Sequence, residues 1–242
     1  MKNKPPLLLG TFVRRYKRFF ADLVDQQGDM ITVHCPNTGS MENCLVEGSS
    51  CWYSLSDNPK RKLAGTLEIV TTSYRQLAGV NTSRPNHLVR EAIEAGWVPE
   101  LRGYEKIRSE VRYGQEKSRI DLLLEDPVLG RCYVEVKNVT LDKGNGLAEF
   151  PDSVTSRGTR HLRELMTMVA QGHRAVLFFC VQLTGAERAE IATNIDPVYA
   201  ETMAQAVAAG VQVIAWRAAL SPEEITLESP ISCLQDLPEP VL

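Results

Sequence analysis

The stretch RIDLLLEDPVLGRCYVEVK, residues 119–137, decides the fold, because two hydrophobic runs separated by a turn predict a pair of adjacent β-strands. The turn occupies seven residues rich in turn formers. If Leu124 pairs with Cys132, then Asp121 lies opposite Glu135 on the neighbouring strand. Two like charges in that arrangement are destabilising unless they are compensated, and a divalent cation between them compensates them.

Side chains alternate along a strand, so Glu135 and Lys137 project from one face while Val134 and Val136 pack on the other. A few hard oxygen ligands, with water completing the shell, suit Mg²⁺ or Mn²⁺. Metal-assisted phosphodiester hydrolysis needs such a cation, a nucleophilic water and a positive group such as this lysine. The competing interpretation is a solvated hairpin surface with an ordinary Glu135–Lys137 ion pair.

A helix is predicted over residues 87–95, with Asn86 as its N-cap and Gly96 at its C-terminal end. The spacing i, i+3, i+4, i+7 places Glu91 on the apolar stripe together with Leu88, Ala92 and Ala95. A carboxylate that faces inwards needs a partner, and a metal ion, Lys137 or an arginine would each serve. Glu91 is therefore a fourth candidate for the catalytic site.

The N-terminal third of the chain consists of short β-rich runs separated by turn residues. The predicted strands cover residues 8–13, 19–24, 30–34, 50–55 and 66–72. Five short strands in so few residues predict a small barrel, either OB-like or SH3-like.

After this barrel, strands alternate with helices, including a helix over 158–170 and another that begins after an Asp196 N-cap. This pattern predicts an α/β (α+β) domain with a strand–helix–strand crossover. The expected division is residues 1–84 and 85–242, the second domain ending in a loose acidic tail over residues 229–242.

Composition narrows the class of protein. The chain has 242 residues, 43% of them hydrophobic, and a net charge of −3, which supports a real core and argues against a uniformly basic surface. No apolar run approaches the ~20 residues of a membrane helix, and the N-terminal apolar run is too short for a signal peptide. Six cysteines without a C-x-x-C pair indicate neither a zinc site nor a redox motif. We expect a cytoplasmic protein with no membrane partner.

Two clusters of cations are candidates for nucleic-acid contact. The first lies between the first two predicted strands and combines cations with aromatic residues, namely Arg14, Arg15, Tyr16, Lys17, Arg18, Phe19 and Phe20. Small barrels bind strands by stacking bases on aromatic rings and following phosphates with cations. The second lies in the first turns of the helix over 158–170, where the helix dipole also favours an anion, and comprises Arg157, Arg160, His161 and Arg163. For both clusters the competing interpretation is ordinary solvated charge.

These motifs, taken in chain order, resemble a known family. They are NTG at 37–39, NHLV at 86–89, EA at 91–92, SRID at 118–121, VEVKNVTL at 134–141, FPD at 150–152 and RGTRHL at 157–162. In this order they resemble the sugar fermentation stimulation protein A family over nearly the whole chain. Asp121 followed by Glu135-Val136-Lys137 also resembles the PD-(D/E)XK nuclease core, although Ile120 stands where proline gives that superfamily its name.

The resemblance implies an N-terminal OB-like barrel, a PD-(D/E)XK nuclease-like α/β domain and DNA binding without marked sequence preference. It also implies a regulatory part in sugar use, notably of maltose. Two functions remain open. In the first, Asp121 and Glu135 bind Mg²⁺ or Mn²⁺ and Lys137 orients the attacking water. In the second, a non-enzymatic DNA-binding regulator uses the same fold as a scaffold. Both predict phosphate-dominated, salt-sensitive DNA binding, and neither predicts an oligomeric state.

Overall fold

The structure of the protein is a computed structural model, which describes residues 1–116 and 118–233. Its N-terminal part forms one sheet of six strands. They are β1 (Leu8–Tyr16), β2 (Phe20–Asp25), β3 (Met30–His34), β4 (Ser50–Leu55), β5 (Gly65–Thr71) and β6 (Leu77–Gly79). The strand order is β3-β2-β1-β4-β5-β6, and an additional parallel pairing of β3 with β5, between His34 and Thr66, closes the first five strands into an OB-like barrel. This confirms the predicted barrel.

The remaining strands form a second sheet of nine strands. They are β7 (Lys106–Tyr113), β8 (Ser118–Asp126), β9 (Gly130–Val139), β10 (Leu141–Asp142), β11 (Leu147–Phe150), β12 (Arg174–Val181), β13 (Arg188–Ile191), β14 (Gln212–Leu220) and β15 (Ile225–Cys233). The order is β10-β11-β13-β15-β14-β12-β9-β8-β7. Parallel pairings of β9 with β12 and of β12 with β14 form its centre, and antiparallel hairpins extend it, so the sheet is mixed.

Three helices cover the two faces of the second sheet. They are α1 (Pro85–Glu94), α2 (Ser156–Ala170) and α3 (Pro197–Ala208). Helix α1 packs Leu88 and Val89 on the face that also buries Val134 and Phe178. Helices α2 and α3 cover the opposite face, whose core is continuous with the barrel interior and includes Leu162, Tyr199, Tyr133, Phe179 and Phe12. The strongly apolar central strands follow from this burial on both faces.

The start of α1 differs from the sequence prediction. Helix α1 begins at Pro85 with Arg84 as its N-cap, so Asn86 is not the cap but lies in the first turn. Proline at the first position favours this earlier start, because its fixed φ suits a helix and its missing N–H needs no partner. Asp196 is the N-cap of α3 as predicted, and its side chain accepts a hydrogen bond from the Tyr199 main-chain N.

The end of the chain is also more ordered than predicted. Residues 229–233 belong to β15, which pairs with β14 through Ala215–Ile231 and neighbouring pairs, so the loose tail was wrong for this segment. The rest of the predicted tail, residues 234–242, lies outside the described residues. Within the part of the chain that the structure describes, no helix is long and apolar enough to cross a membrane.

Candidate active site

The neighbouring strands β8 and β9 end their main-chain pairing next to Asp121. Strands β8 and β9 pair Leu124 with Cys132 and end their ladder at Leu122–Val134, in the register that the sequence predicted. Beyond this pair, a side chain replaces the main chain as acceptor: Asp121 Oδ2 accepts a hydrogen bond from the main-chain N of Val136 at 2.7 Å. We call the set of Asp121, Glu135 and Lys137 the strand fork.

Helix α1 supplies a further contact to Asp121. Asn86 in the first turn donates from Nδ2 to Asp121 Oδ1 at 2.8 Å. Asn86 was predicted only as a helix cap, so its contact with the carboxylate was missed; the NHLV motif was the available signal. Both oxygens of Asp121 are thereby oriented by the protein.

The Glu135 carboxylate is held from one side. Its Oε1 accepts a hydrogen bond from Lys137 Nζ at 2.7 Å and contacts His161 Nδ1. Arg157 Nε donates to Nε2 of the same imidazole at 3.3 Å, so Nε2 is the unprotonated nitrogen and Nδ1 donates to Glu135. Glu135 Oε2 is buried and has no hydrogen-bond partner among residues 1–116 and 118–233.

The two carboxylates have opposite pKa shifts. Burial raises the pKa of Asp121 to about 6, and the negative charge of Glu135 adds to this effect. Burial would also raise the pKa of Glu135, but Lys137 and His161 outweigh it and hold that pKa below its usual value. In mildly acidic solution Glu135 is therefore ionised, whereas Asp121 is protonated.

Asp121 and Glu135 fit a hard divalent cation. Both provide oxygen, Glu135 Oε2 has no competing hydrogen bond, and ionised Asp121 and Glu135 repel each other unless a cation lies near them. Among the described residues, no group of three or more His, Cys, Asp or Glu side chains is arranged to hold a metal ion. Two protein carboxylates, completed by water and substrate phosphate oxygens, form the type of site that Mg²⁺ commonly uses.

The structure does not bring Glu91 to the fork. The inward face of α1 is formed by Leu88, Val89, Ala92 and Ile93, and Glu91 is exposed beside it. Its Oε2 pairs with the N-terminal ammonium of Met1 at 2.7 Å. The predicted apolar stripe was wrong because Val89 and Ile93, rather than Ala95, complete the buried face.

Lys137 of the fork lines a cleft between the barrel and the second sheet, whereas Asp121 and Glu135 lie beneath its lining. The cleft has a volume of about 440 Å³. On the barrel side it is lined by Arg18, Asn37, Thr38 and Gly39, and on the other side by residues that include Asn86, Lys137, Asn138 and Asp152. The NTG and FPD motifs thus meet across the cleft, although they were not predicted as site residues. Their separation in sequence concealed this proximity.

The basic cluster of the barrel divides into two parts. Arg14 pairs with Asp22 at 2.8 Å and lies over the Tyr16 ring, and Arg15 donates to main-chain oxygens of the loop at 37–40. These two arginines therefore support the barrel and its loop. Lys17 and Arg18 form the exposed turn after β1, and within the described residues their side chains make no hydrogen bond or ion pair.

Most side chains of the basic cluster on α2 are already bound to other residues of the protein. Arg157 and His161 belong to the Glu135 network, and Arg163 forms a bidentate pair with Glu116. Arg160 is half-buried, and its Nε has no partner in the described part of the chain. His161, predicted to contact nucleic acid, is buried against Glu135 instead.

In the absence of metal, the raised pKa of Asp121 predicts a pH-dependent effect of Asp121→Asn. The folded protein binds this proton more tightly than the unfolded chain, so the stability from Asp121 is full below the unfolded pKa of 3.8 and is lost as the pH rises through about 6. The variant should exceed the wild type in free energy of unfolding by about 3 kcal/mol at about pH 8. Asn86 can rotate its amide to accept from the new NH₂ group.

Urea unfolding in EDTA at several pH values measures this difference, which should shrink to nearly nothing at about pH 4. An equal difference at every pH would show that ionisation of Asp121 is not its cause.

Both parts of the chain match models of known protein families. Residues 83–224 match the family model described as the sugar fermentation stimulation protein RE domain, and residues 13–80 match the SfsA N-terminal OB domain. A sugar fermentation stimulation protein homolog of Teredinibacter turnerae is 58% identical over 94% of this chain and 97% of its own length. The corresponding homolog of Geobacter sulfurreducens is 57% identical over 92% of this chain and 94% of its own.

A solved structure agrees over the same extent. SfsA of Pyrococcus furiosus, in complex with Ca²⁺, superposes with a TM-score of 0.86 at 26% sequence identity. The match covers 97% of this chain and 98% of that one. The order of barrel and mixed sheet is therefore shared over the full extent of the match.

Proposed function

The chain belongs to the sugar fermentation stimulation protein family, and from this membership and the strand fork we propose that it is a DNA-binding protein with a Mg²⁺- or Mn²⁺-dependent nuclease-type site. The observation on which this depends is the convergence of two acids and an amine where β8 and β9 separate. The chain order, Asp121 followed by Glu135 and Lys137, is that of a PD-(D/E)XK core. The Ca²⁺ complex of the Pyrococcus furiosus relative supports a site for a hard cation in this fold.

Asp121 and Glu135 are the residues that would hold the cation. When bound, the ion supplies a Lewis acid that polarises the scissile phosphodiester and lowers the pKa of a nucleophilic water. His161 and Lys137 both contact Oε1 of Glu135 and leave Oε2 without a hydrogen-bond partner among the described residues. Asn86 and the Val136 main chain orient Asp121 in the same way.

Lys137 acts in this proposal on the attacking water and the phosphoryl group. Its side chain is largely buried, and it lines the cleft in which a phosphodiester would lie. An ammonium at this position orients the attacking water and stabilises the negative charge that develops on the phosphoryl oxygens. Because Lys137 is bound to Glu135, its position is tied to that of the proposed metal ligand.

The DNA contacts in this proposal come from the backbone phosphates. The side chains of Lys17 and Arg18 are unpaired among the described residues, and Arg18 lines the barrel side of the cleft. Binding would accordingly be non-specific and sensitive to salt. A regulatory role in sugar metabolism, including maltose use, and residence in the cytoplasm complete the proposal.

A second candidate function is a DNA-binding regulator that does not cut. The observation in its favour is that the Lys137 ammonium and the hydrogen bond from His161 already stabilise the ionised Glu135 carboxylate without a metal. In that case the fork would be a structural ion pair, and the barrel cations would be sufficient for DNA binding.

A cleavage assay separates the two functions. Purified wild-type protein with labelled DNA or RNA should give products in Mg²⁺ or Mn²⁺ and none in EDTA, and Asp121→Asn should give none under either condition. Asp121→Asn is nearly isosteric, and its folding is checked by circular dichroism. Wild-type protein that cuts no substrate and binds no divalent cation would leave the regulator as the function.

A further inference from the structure

We propose that the cleft accepts one strand of nucleic acid rather than a duplex, with a nucleotide held between the barrel loop at 37–39 and Lys137. This inference uses the proposed function to position the reacting phosphodiester, and it adds the form of the substrate. Single-stranded DNA and RNA share the required chemistry, which is a flexible row of phosphates with unstacked bases.

The size of the cleft is the first observation. Its volume of about 440 Å³ falls in the range of ~300–1,000 Å³ that accommodates a single small ligand. A nucleotide with its phosphate has these dimensions, whereas a base-paired duplex presents two backbones and paired bases as one rigid body. Lys137 lines the cleft, so a phosphodiester that enters it can meet the Lys137 ammonium.

The second observation is that the two walls are fastened together. The main-chain N of Met41 donates to Asp152 Oδ2 at 3.2 Å, and Asn43 Nδ2 donates to the main-chain oxygen of Asp142 at 2.9 Å. Gly39 packs so closely on Asp152 that a Cβ atom would overlap the carboxylate. A duplex therefore cannot gain entry by a simple swing of the barrel, because that movement breaks these contacts.

A third contact adds to this connection. The main-chain N of Gly79 in β6 donates to the main-chain oxygen of Gln182 at 2.8 Å, and the Gln182 side chain occupies the space beside Gly79. Gln182 is fully buried. The barrel is thus packed against the second sheet at a site distinct from the Asp152 contact, which restricts rotation about either one.

The barrel turn that contributes Arg18 to the cleft supplies the groups that a single strand needs. Arg18 lines the cleft, and the next residue, Phe19, is 48% exposed although it is a large aromatic. A flexible strand can stack an unpaired base on this ring and place its phosphates beside Arg18 and Lys17. Bases inside a duplex are already stacked and cannot use the ring in this way.

Fluorescence anisotropy tests the inference with labelled oligonucleotides of about twelve nucleotides, prepared as single-stranded DNA, single-stranded RNA and duplex DNA. Asp121→Asn protein in EDTA prevents cleavage, so binding alone is measured. At least one single strand should bind about tenfold more tightly than the duplex. Comparison of the DNA and RNA arms identifies which strand is preferred.

Two variants test whether the turn at residues 17–19 is responsible for the preference for single strands. Phe19→Ala, made in the same background, should weaken single-strand binding about fivefold or more and change duplex binding little. Met30→Ala is the matched control, because Met30 is a large hydrophobic residue of the same barrel that is 62% exposed but, unlike Phe19, is not adjacent in sequence to a residue that lines the cleft. Arg18→Ala provides a second test if Phe19→Ala alters folding.

Equal affinity for strand and duplex, or equal effects of Phe19→Ala and Met30→Ala, would overturn the inference. These outcomes leave the proposed nuclease intact, because that proposal depends on metal and cleavage. Conversely, failure of wild-type protein to cut any substrate overturns the nuclease, whereas a measured preference for single strands still stands.

Discussion

Lys137→Met should reduce metal-dependent cleavage about a thousandfold, which is the effect expected when a positioned charge at the reacting phosphate is lost. Methionine retains most of the length and apolar stem of lysine but removes the ammonium. Because the ammonium lies 2.7 Å from Glu135 Oε1, its removal takes away the positive charge that competes with a cation for this carboxylate. Ca²⁺ affinity should therefore be equal or higher while the cleavage rate falls.

The measurement pairs single-turnover cleavage with calorimetric titration of Ca²⁺, and Lys106→Met is the control. Lys106 is an exposed lysine at the start of β7 and does not line the cleft. It should cut at the wild-type rate. Undiminished cleavage by Lys137→Met would exclude Lys137 from the chemistry and point to a contaminating nuclease.

The largest loss of stability is expected from Arg84→Ala. Glu68 on β5 is 3% exposed, and its Oε2 accepts hydrogen bonds from Arg84 Nε at 2.8 Å and Asn81 Nδ2 at 2.9 Å. Removing the arginine leaves a buried carboxylate without its counter-ion, which should lower the free energy of unfolding by about 3 kcal/mol. Arg84 is also the N-cap residue of α1, so its ion pair with Glu68 connects β5 to the start of the helix that presents Asn86 to Asp121.

Arg90→Ala on the same helix is the matched control. Arg90 pairs with Glu94 at 2.8 Å, but both side chains are exposed, so the loss should be about 0.5 kcal/mol. Urea unfolding compares the two variants, and the further change Glu68→Gln should restore part of the loss in Arg84→Ala. Equal destabilisation by Arg84→Ala and Arg90→Ala would contradict the importance assigned to burial.

The parts of the fold that sequence could predict are those set by local patterns. The predicted pairing of Leu124 with Cys132 gave the register of β8 and β9 and so placed Asp121 and Glu135 on adjacent strands, although the strands extend to Asp126 and Gly130 and leave a turn of three residues rather than the predicted seven. The barrel strands followed from regular turn residues in the same way. Asp196 was recognised as a cap because Pro197 follows it.

The errors have physical causes that lie outside local pattern. Glu91 was misplaced because the buried face of α1 is chosen by contacts with β8 and β9, and small residues such as Ala95 give weak information about it. The role of His161 was misjudged because a histidine amid arginines resembles an anion site, whereas its burial depends on Glu135 in a distant strand. The cleft depends on contacts such as Met41 with Asp152, more than a hundred residues apart in the chain.

The most direct test of the proposed metal site is calorimetric titration of Ca²⁺ and Mn²⁺ into wild-type protein and into the Asp121→Asn/Glu135→Gln double variant. The account predicts one site in the wild type and its loss in a folded double variant, because both oxygen ligands lose their charge. Retention of wild-type affinity by the double variant would contradict it.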